Sequence, residues 1–224
     1  MPRPVVWTIV VAGGSGARFG GPKQFESLGT TRVIDESVET AAAAGDGVVI
    51  VVPADRVAAE SRAAGSGGRI VVVAGGGTRS ESVRCGLAAV PDDAEVVCIH
   101  DAARPLASLG LYRRVIEAVQ AGADGAIPGL VVTDTIKVVD ADGAVVATPD
   151  RASLRAVQTP QAFAAVVLRR AHADGGDATD DAALVEALGG RIQVVDGEVD
   201  NRKLTVPADL DWARIKIAER GDAR

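Results

Sequence analysis

Short, unbroken apolar runs alternate along the chain with alanine-rich stretches of helical spacing. Val5–Val11, Val48–Val52, Ile70–Val73, Val96–Ile99, Ala126–Val132 and Ile192–Val195 are continuous, largely β-branched segments. Such runs mark strands buried on both faces of a parallel sheet, because a half-exposed strand alternates polar with apolar positions. Between them, Asp35–Ala44 and Leu109–Ala121 read as helices stopped by Gly45 and Gly122, the residue type that ends helices most readily. The alternation predicts βαβ units and hence an α/β fold. Pro207 marks the start of a closing amphipathic helix carrying Leu210, Trp212, Ile215 and Ile217, with Gly221–Arg224 expected to fray.

The rhythm breaks between Thr133 and Thr148. Here two runs of mixed polarity flank Asp142-Gly143, a hairpin signal. Two strands alone bury too little apolar surface to be stable, so this ribbon, an excursion spanning residues 133–160, is expected to pack on a second copy of the chain or on its own domain. With 224 residues, 47% of them hydrophobic, the chain is expected to form one domain over residues 1–224, burying about 70% of its unfolded surface.

Aromatic residues make up only 3% of the chain and the net charge is −6, so neither stacking platforms nor a basic stripe for nucleic acid is present. Cys85 and Cys98 have neither the number nor the spacing of a metal site or disulfide framework. The absence of a signal-peptide pattern or of an apolar stretch near ~20 residues predicts a cytoplasmic protein with no membrane partner.

Candidate chemistry clusters where strands end. After the first run comes Ala12-Gly13-Gly14-Ser15-Gly16-Ala17-Arg18-Phe19-Gly20-Gly21-Pro22-Lys23, a glycine-rich turn with two cations. Glycines leave backbone N–H groups uncovered, and Arg18 and Lys23 supply neutralising charge, a pattern suited to a phosphate chain. A Walker A loop is excluded, because no Ser or Thr follows Lys23. The dinucleotide fingerprint fails as well, placing Phe19 where a third glycine is needed.

The fourth run ends in His100-Asp101-Ala102-Ala103-Arg104-Pro105. Asp101 suits a magnesium ligand, since Mg²⁺ takes one or two carboxylates alongside phosphate oxygens; it also suits a cap on the segment that follows. Arg104 reads equally as a second phosphate clamp or a surface ion pair, and His100 as a structural side chain more than a catalyst. A second glycine cluster, Gly75-Gly76-Gly77-Thr78-Arg79-Ser80-Glu81-Ser82, precedes another helix, whose N-terminus favours electronegative groups. Lys203 adds a cation before the last helix.

Taken in order, Gly14-x-Gly16-x-Arg18, Pro22-Lys23-Gln24, His100-Asp101-Ala102-Ala103-Arg104-Pro105, Asp134-Thr135-Ile136-Lys137, Thr159-Pro160-Gln161, Thr179-Asp180-Asp181 and Asp200-Asn201-x-Lys203 resemble the 2-C-methyl-D-erythritol 4-phosphate cytidylyltransferase family. The resemblance runs from about residue 5 to residue 212. It implies a Rossmann-like nucleotidyltransferase fold with a mixed, mostly parallel sheet, a homodimer clasped through the β-arm, CTP as donor and Mg²⁺ as cofactor. The implied reaction transfers CMP to the phosphate of methylerythritol phosphate, in isoprenoid precursor biosynthesis.

By the same resemblance, Arg18, Lys23 and Lys203 act on the reacting phosphates and Asp101 helps hold the metal. Ala12, Gly13, Gly14, Gly16, Gly76, Ser82, Asp101 and Ala102 bind the nucleotide. Asp101, Arg104, Thr135, Arg151, Thr159, Thr179 and Lys203 bind the sugar phosphate, with Thr135, Arg151 and Thr159 reaching the neighbouring subunit from the arm. Three positions depart from the family pattern: Gly13 for an alanine, Ala17 for a commonly basic residue and Phe19 for a methionine. Ribitol-5-phosphate cytidylyltransferase is the nearest rival. A catalytically dead nucleotide-binding protein is disfavoured because the charged positions are present, and an NAD(P)-dependent oxidoreductase because the loop fails the fingerprint. Chain length leads to the expectation of a monofunctional enzyme.

Overall fold

The computed structural model describes residues 3–14, 16, 19–65 and 68–222. Its centre is an eight-stranded sheet. The strands of the alternating part are β1 (Val6–Val11), β2 (Gly47–Val52), β3 (Ile70–Ala74), β4 (Val96–Asp101) and β5 (Gly125–Val131). The helices α1 (Val33–Ala44), α2 (Val57–Ala64), α3 (Arg79–Leu87) and α4 (Leu109–Gln120) connect them. Then come the short strands β6 (Val138–Val139), β7 (Val145–Ala147), β8 (Arg155–Val157) and β9 (Gln161–Ala164), the helices α5 (Ala165–His172) and α6 (Asp181–Ala187), β10 (Ile192–Asp196) and α7 (Pro207–Asp222). Each apolar run became a strand, and α7 runs to Asp222; of the stretch expected to fray, Ala223 and Arg224 lie outside the described residues.

Strand order is β10-β5-β9-β4-β1-β2-β3, with β8 paired to β5. Pairings of β1 with β2 and β4, β2 with β3, and β5 with β10 are parallel. Those of β9 with β4 and β5, and of β8 with β5, are antiparallel. The mixed, mostly parallel sheet expected from the resemblance is therefore present.

Alternate residues of the strands feed two separate cores. Val10, Val48, Ile50, Val52 and Cys98 pack with Ile34 and Ala41 of α1 and with Leu111, Tyr112 and Val115 of α4. Ile9, Val49, Val51, Val97 and Ile99 pack on the other face with Val83 and Leu87 of α3, Leu168 of α5 and Val185 of α6. A strand covered on both sides must be apolar at every position, which is why these segments show no alternation. A third, smaller cluster of Leu28, Val33, Leu204, Leu210 and Ala213 seats α7.

From β1 the chain winds outward through β2 and β3, then returns to lay β4 on the opposite side of β1. In doubly wound sheets a crevice opens where the winding reverses, beyond the carboxyl ends of the strands. Here that point lies between β1 and β4, whose last residues, Val11 and Asp101, are register partners. The hairpin expected at Asp142-Gly143 is also present. β6 pairs antiparallel with β7 in a separate two-stranded sheet, Gly143 adopts φ +84°, and both strands are exposed.

Candidate active site

At the switch point a cavity of about 450 Å³ is lined by residues from five parts of the chain. Ala12, Gly13, Gly14 and Gly16 come from the loop after β1, Lys23 and Gln24 from the turn that follows it, Gly76, Gly77, Thr78, Arg79 and Ser82 from the second glycine cluster, Asp101 to Ala103 from the end of β4, and Lys203 from the segment before α7.

Local hydrogen bonds hold each wall. The Gln24 side-chain amide is buried and donates to the carbonyls of Ala12 (2.7 Å) and Gly14 (2.9 Å). In a trans peptide the carbonyl and the next N–H point opposite ways, so the Gly13 N–H is turned away from Gln24. Gly16 sits at φ +68°, and a Cβ there would lie 1.8 Å from the Gly21 carbonyl oxygen, so the loop admits only glycine at this point. Arg18 lies outside the described residues.

The second glycine cluster is pinned by a capping box at the start of α3. Thr78 Oγ1 accepts from the Glu81 N–H, and the Glu81 carboxylate accepts from the N–H groups of Thr78 and Gly77. Ser82 Oγ donates to the Thr78 carbonyl and accepts from the Gly76 N–H, so it frames the loop from behind while lining the cavity.

Asp101 is nearly buried and carries the site's electrostatics. Lys203 Nζ lies 2.6 Å from its Oδ2, and Arg79 Nε 3.5 Å from its Oδ1. Burial pushes this carboxyl up, but Lys203, Arg79 and Arg104 outweigh it and hold the group well below the usual carboxylate range. Its side-chain oxygens thus face cations rather than capping the following segment. Arg79 Nη1 continues the network by donating to Asp181 Oδ2 at 2.7 Å, and His172 Nε2 lies 3.0 Å from Asp181 Oδ1.

Lys203 projects from irregular backbone that is nonetheless well anchored. Buried Asn201 donates through Nδ2 to the Thr159 carbonyl, Leu204 N–H donates to the Ala103 carbonyl, and Arg104 Nη1 donates to the Asn201 carbonyl at 2.8 Å. Arg104 also donates to the Val157 carbonyl and does not line the cavity. It is neither a free-standing clamp nor a surface ion pair here, but a tie between segments.

Thr159 is likewise turned inward. Its hydroxyl accepts from the Asp101 N–H (3.0 Å) and lies 3.1 Å from His100 Nδ1, while His100 Nε2 lies 3.2 Å from the Arg104 carbonyl. One arrangement satisfies all three contacts: Nε2–H donates to Arg104 and the Thr159 hydroxyl donates to Nδ1. Burial pushes His100 down to about 4, which keeps the ring uncharged. The expected place of Thr159 on the arm, reaching a neighbouring subunit, gives way to a buried position at the end of β4. Thr135, Arg151 and Thr179 are exposed away from the cavity, and Arg151 Nη1 donates to the Thr133 carbonyl at the base of the arm.

Sequence reasoning gave no role to Gln24, Arg79 or Asp181. Arg79 carried a usable signal. A cation at the first position of a helix opposes the positive end of the macrodipole, so it needs carboxylates nearby, and it has two.

Magnesium can be tested against the donor set. Among the described residues no three His, Cys, Asp or Glu side chains come together as a metal site. Among the described residues Asp101 supplies the one carboxylate of the cavity lining, and both of its oxygens face cations. One carboxylate is what a Mg²⁺ ion held mainly by phosphate oxygens requires of the protein, and in this structure Asp101 pairs with Lys203 and Arg79.

Three cations around one buried carboxylate, beside two glycine loops at a switch point, suit a polyphosphate whose charge grows during reaction. Fold and cavity together define a nucleotidyltransferase. The family model described as IspD, 2-C-methyl-D-erythritol 4-phosphate cytidylyltransferase, matches residues 6–219. The chain belongs to this family and is a cytidylyltransferase.

The protein of that name from Rhodococcus jostii is 49% identical over 221 residues, covering 96% of each chain. Among solved structures, the 4-diphosphocytidyl-2C-methyl-D-erythritol synthase of Anaerococcus prevotii superimposes with a TM-score of 0.84 at 28% identity, covering 96% of this chain and 99% of the other. The 2-C-methyl-D-erythritol 4-phosphate cytidylyltransferase of Thermus thermophilus does so with a TM-score of 0.78 at 34% identity, covering 96% and 98%.

Proposed function

We propose that this chain transfers CMP from MgCTP to 2-C-methyl-D-erythritol 4-phosphate, releasing pyrophosphate and forming 4-diphosphocytidyl-2-C-methyl-D-erythritol for isoprenoid precursor synthesis. The observation that carries the reading is the convergence of Lys23 and Lys203, from opposite ends of the sequence, on one cavity with Asp101 and both glycine loops. The Mg²⁺ ion enters as part of the nucleotide substrate, on phosphate oxygens, in keeping with a cavity that lacks a carboxylate cage.

The acceptor needs no general base, because a phosphate monoester has its second pKa near ~6 and is largely dianionic at neutral pH. Its oxygen attacks the α-phosphorus of CTP, the bond to the bridging oxygen breaks, and pyrophosphate leaves with that electron pair. The barrier is electrostatic, since two anions must meet and charge builds around phosphorus. Lys23 and Lys203 lower it by being in place beforehand, and Arg18 joins them in this reading. Gly76 and Ser82 frame the cytosine, while Ala12, Gly13, Gly14, Gly16 and Ala102 follow the ribose and phosphates.

Acceptor binding is completed in a homodimer. Exposed Val138, Val139, Val145 and Val146 on the ribbon give it an apolar side for a second copy, and Thr135 and Arg151 at its base meet the partner's acceptor. Thr179 and Arg104 lie at the edge of the acceptor region, Arg104 acting through the Asn201 segment. Among the described residues no helix is long and apolar enough to cross a membrane, and the reading assigns the enzyme to the cytoplasm.

Pyrophosphate release with CTP, Mg²⁺ and a panel of polyol phosphates tests the proposal. Turnover with methylerythritol phosphate at least tenfold above ribitol 5-phosphate is expected. A preference for ribitol 5-phosphate would reassign the acceptor, and no CTP-dependent release with any polyol phosphate would reject the reaction.

A further inference from the structure

Behind the cavity runs a chain of side chains that the reaction as described does not use. It starts at His172, at the end of α5, whose Nε2 lies 3.0 Å from Oδ1 of Asp181 at the start of α6. The other Asp181 oxygen accepts from Arg79 Nη1 at 2.7 Å, Arg79 Nε lies 3.5 Å from Asp101 Oδ1, and Asp101 Oδ2 meets Lys203 Nζ at 2.6 Å. Five separate elements are thereby linked, with carboxylate and cation alternating from Asp181 to Lys203. One end is sealed, with the side chains of His172 and Asp181 2% and 1% exposed, and the other opens on the cavity at Lys203, 40% exposed.

From this line we infer that Asp181, backed by His172, is a positioning residue for phosphoryl transfer. It fixes the Arg79 guanidinium against Asp101, and so sets where the Asp101 carboxylate and the Lys203 ammonium stand. Two observations and one physical argument carry this. Asp181 is adjacent to Asp180, which does the ordinary work of capping α6 through the Ala183 N–H; Asp181 is therefore not needed for that purpose and turns inward. Arg79 occupies a helix N-terminus, where a cation is disfavoured, so its orientation depends on the carboxylates that meet it. A buried ion pair is also a poor source of stability, because desolvating its charges offsets most of their attraction, so stability alone does not account for this one.

Arg79 lines the cavity. Without Asp181 its guanidinium is free to swing toward Asp101 or toward a bound polyphosphate, and the charge balance that presents Lys203 is lost. The consequence falls on the chemical step more than on acceptor affinity, because Asp181 and His172 are sealed from the cavity and act only through the groups that stand at the reacting phosphates, while Thr135 and Arg151 lie off this line.

The inference rests on the cytidylyl-transfer reading, and a single assay separates the two. Wild-type turnover with CTP and methylerythritol phosphate reports on the reaction itself, while the ratio of variant to wild type reports on Asp181. Asp181→Asn, which keeps the shape but removes the charge, is expected to lower kcat at least tenfold per folded molecule while changing KM for methylerythritol phosphate less than twofold. His172→Gln is expected to lower kcat threefold or more with the same unchanged KM. In an Arg79→Gln background, Asp181→Asn should cost less than twofold further, since its object is gone. A merely structural role would lower the melting temperature and leave kcat per folded molecule intact. Retention of kcat within twofold of wild type by folded Asp181→Asn overturns the proposal. If that variant does not fold, the same retention by His172→Gln overturns it.

Discussion

Lys203 and Asp101 stand 102 positions apart in sequence, yet their charged atoms meet at 2.6 Å over the end of β4. The carboxylate is nearly buried and the lysine is not, so the pair holds an ammonium at the cavity rim on a fixed anion rather than neutralising two surface groups. A lysine tethered in this way is already where a phosphate would need it, which reduces the reorganisation that a mobile side chain would cost at the moment of reaction.

Removing that ammonium tests its part in the transition state. Lys203→Met should lower kcat about a hundredfold or more, the ~2.7–4 kcal/mol typical of one lost donor to developing charge. Steady-state pyrophosphate release at saturating CTP measures it, and a loss below fivefold would show that Lys203 serves only as a partner for Asp101.

Lys23 lines the same cavity, on the turn after the first glycine loop, and meets the same donor phosphates in the proposed reaction. Lys23→Ala is expected to cost about a hundredfold or more in kcat on the same physical ground. Near-normal turnover would remove it from the mechanism. The neighbouring Gln24 makes a useful contrast. Gln24→Leu leaves two carbonyls of the loop without their donor, which should cost stability by about 1–3 kcal/mol and raise KM for CTP, with a smaller effect on kcat.

Much of this arrangement was legible in the residues. Runs such as Val48–Val52 could be read as strands because burial on both faces demands apolar residues throughout, and the glycine loops could be placed at strand ends because the same pattern ended there. What stayed hidden depends on long-range packing. β9 is four residues long and its antiparallel fit between β4 and β5 has no local signature. Thr159 could be read as an exposed arm residue because nothing local says that its hydroxyl will meet the Asp101 N–H. Asp180 and Asp181 are chemically alike and adjacent, and only the fold makes one a helix cap and the other a partner for Arg79.

The inward turn of Thr159 sets a structural role beside the substrate role that the resemblance implies, and one variant separates the two. Thr159→Val keeps the shape but strips the Asp101 N–H of its acceptor and His100 of its hydroxyl partner. It is expected to destabilise the protein by about 1–3 kcal/mol, the cost of a buried polar group left unmade. Chemical unfolding measures this. A variant as stable as wild type but with KM for methylerythritol phosphate raised tenfold would instead assign the hydroxyl to substrate.

Acid should act on the fold and on the reaction through different groups. His100 ordinarily titrates near 6.5, and burial pushes it down to about 4 in the folded protein. Between those values the unfolded chain takes up a proton that the folded chain does not, so stability is lost as the pH is lowered through that window, by about 3 kcal/mol in all at ~1.36 kcal/mol per unit. Asp101 works in the opposite sense of shift. Its folded-state value lies below the ordinary 3.8, so its contribution is complete above that value and is lost only at still lower pH. Urea unfolding between about pH 7 and about pH 4.5 should show the decline in wild type and a shallower one in His100→Gln; equal slopes would reject the assignment. Turnover should show an acid limb near pH ~6 set by the acceptor phosphate, and the same limb in Asp101→Asn.

The last prediction concerns the arm. Arg151 is exposed, lies outside the nucleotide cavity, and donates from Nη1 to the Thr133 carbonyl where the ribbon leaves the sheet. In the proposed dimer its guanidinium reaches the acceptor phosphate bound to the other subunit, where a charge-assisted bond contributes about 1.5–3 kcal/mol. Arg151→Ala should therefore raise KM for methylerythritol phosphate by tenfold or more, leaving KM for CTP within twofold. The same change must appear only where the chain is dimeric, so sedimentation of the variant belongs with the kinetics. A dimer with both KM values unchanged would show that Arg151 does no more than brace Thr133, and a chain that is active as a monomer would place the acceptor wholly within one subunit.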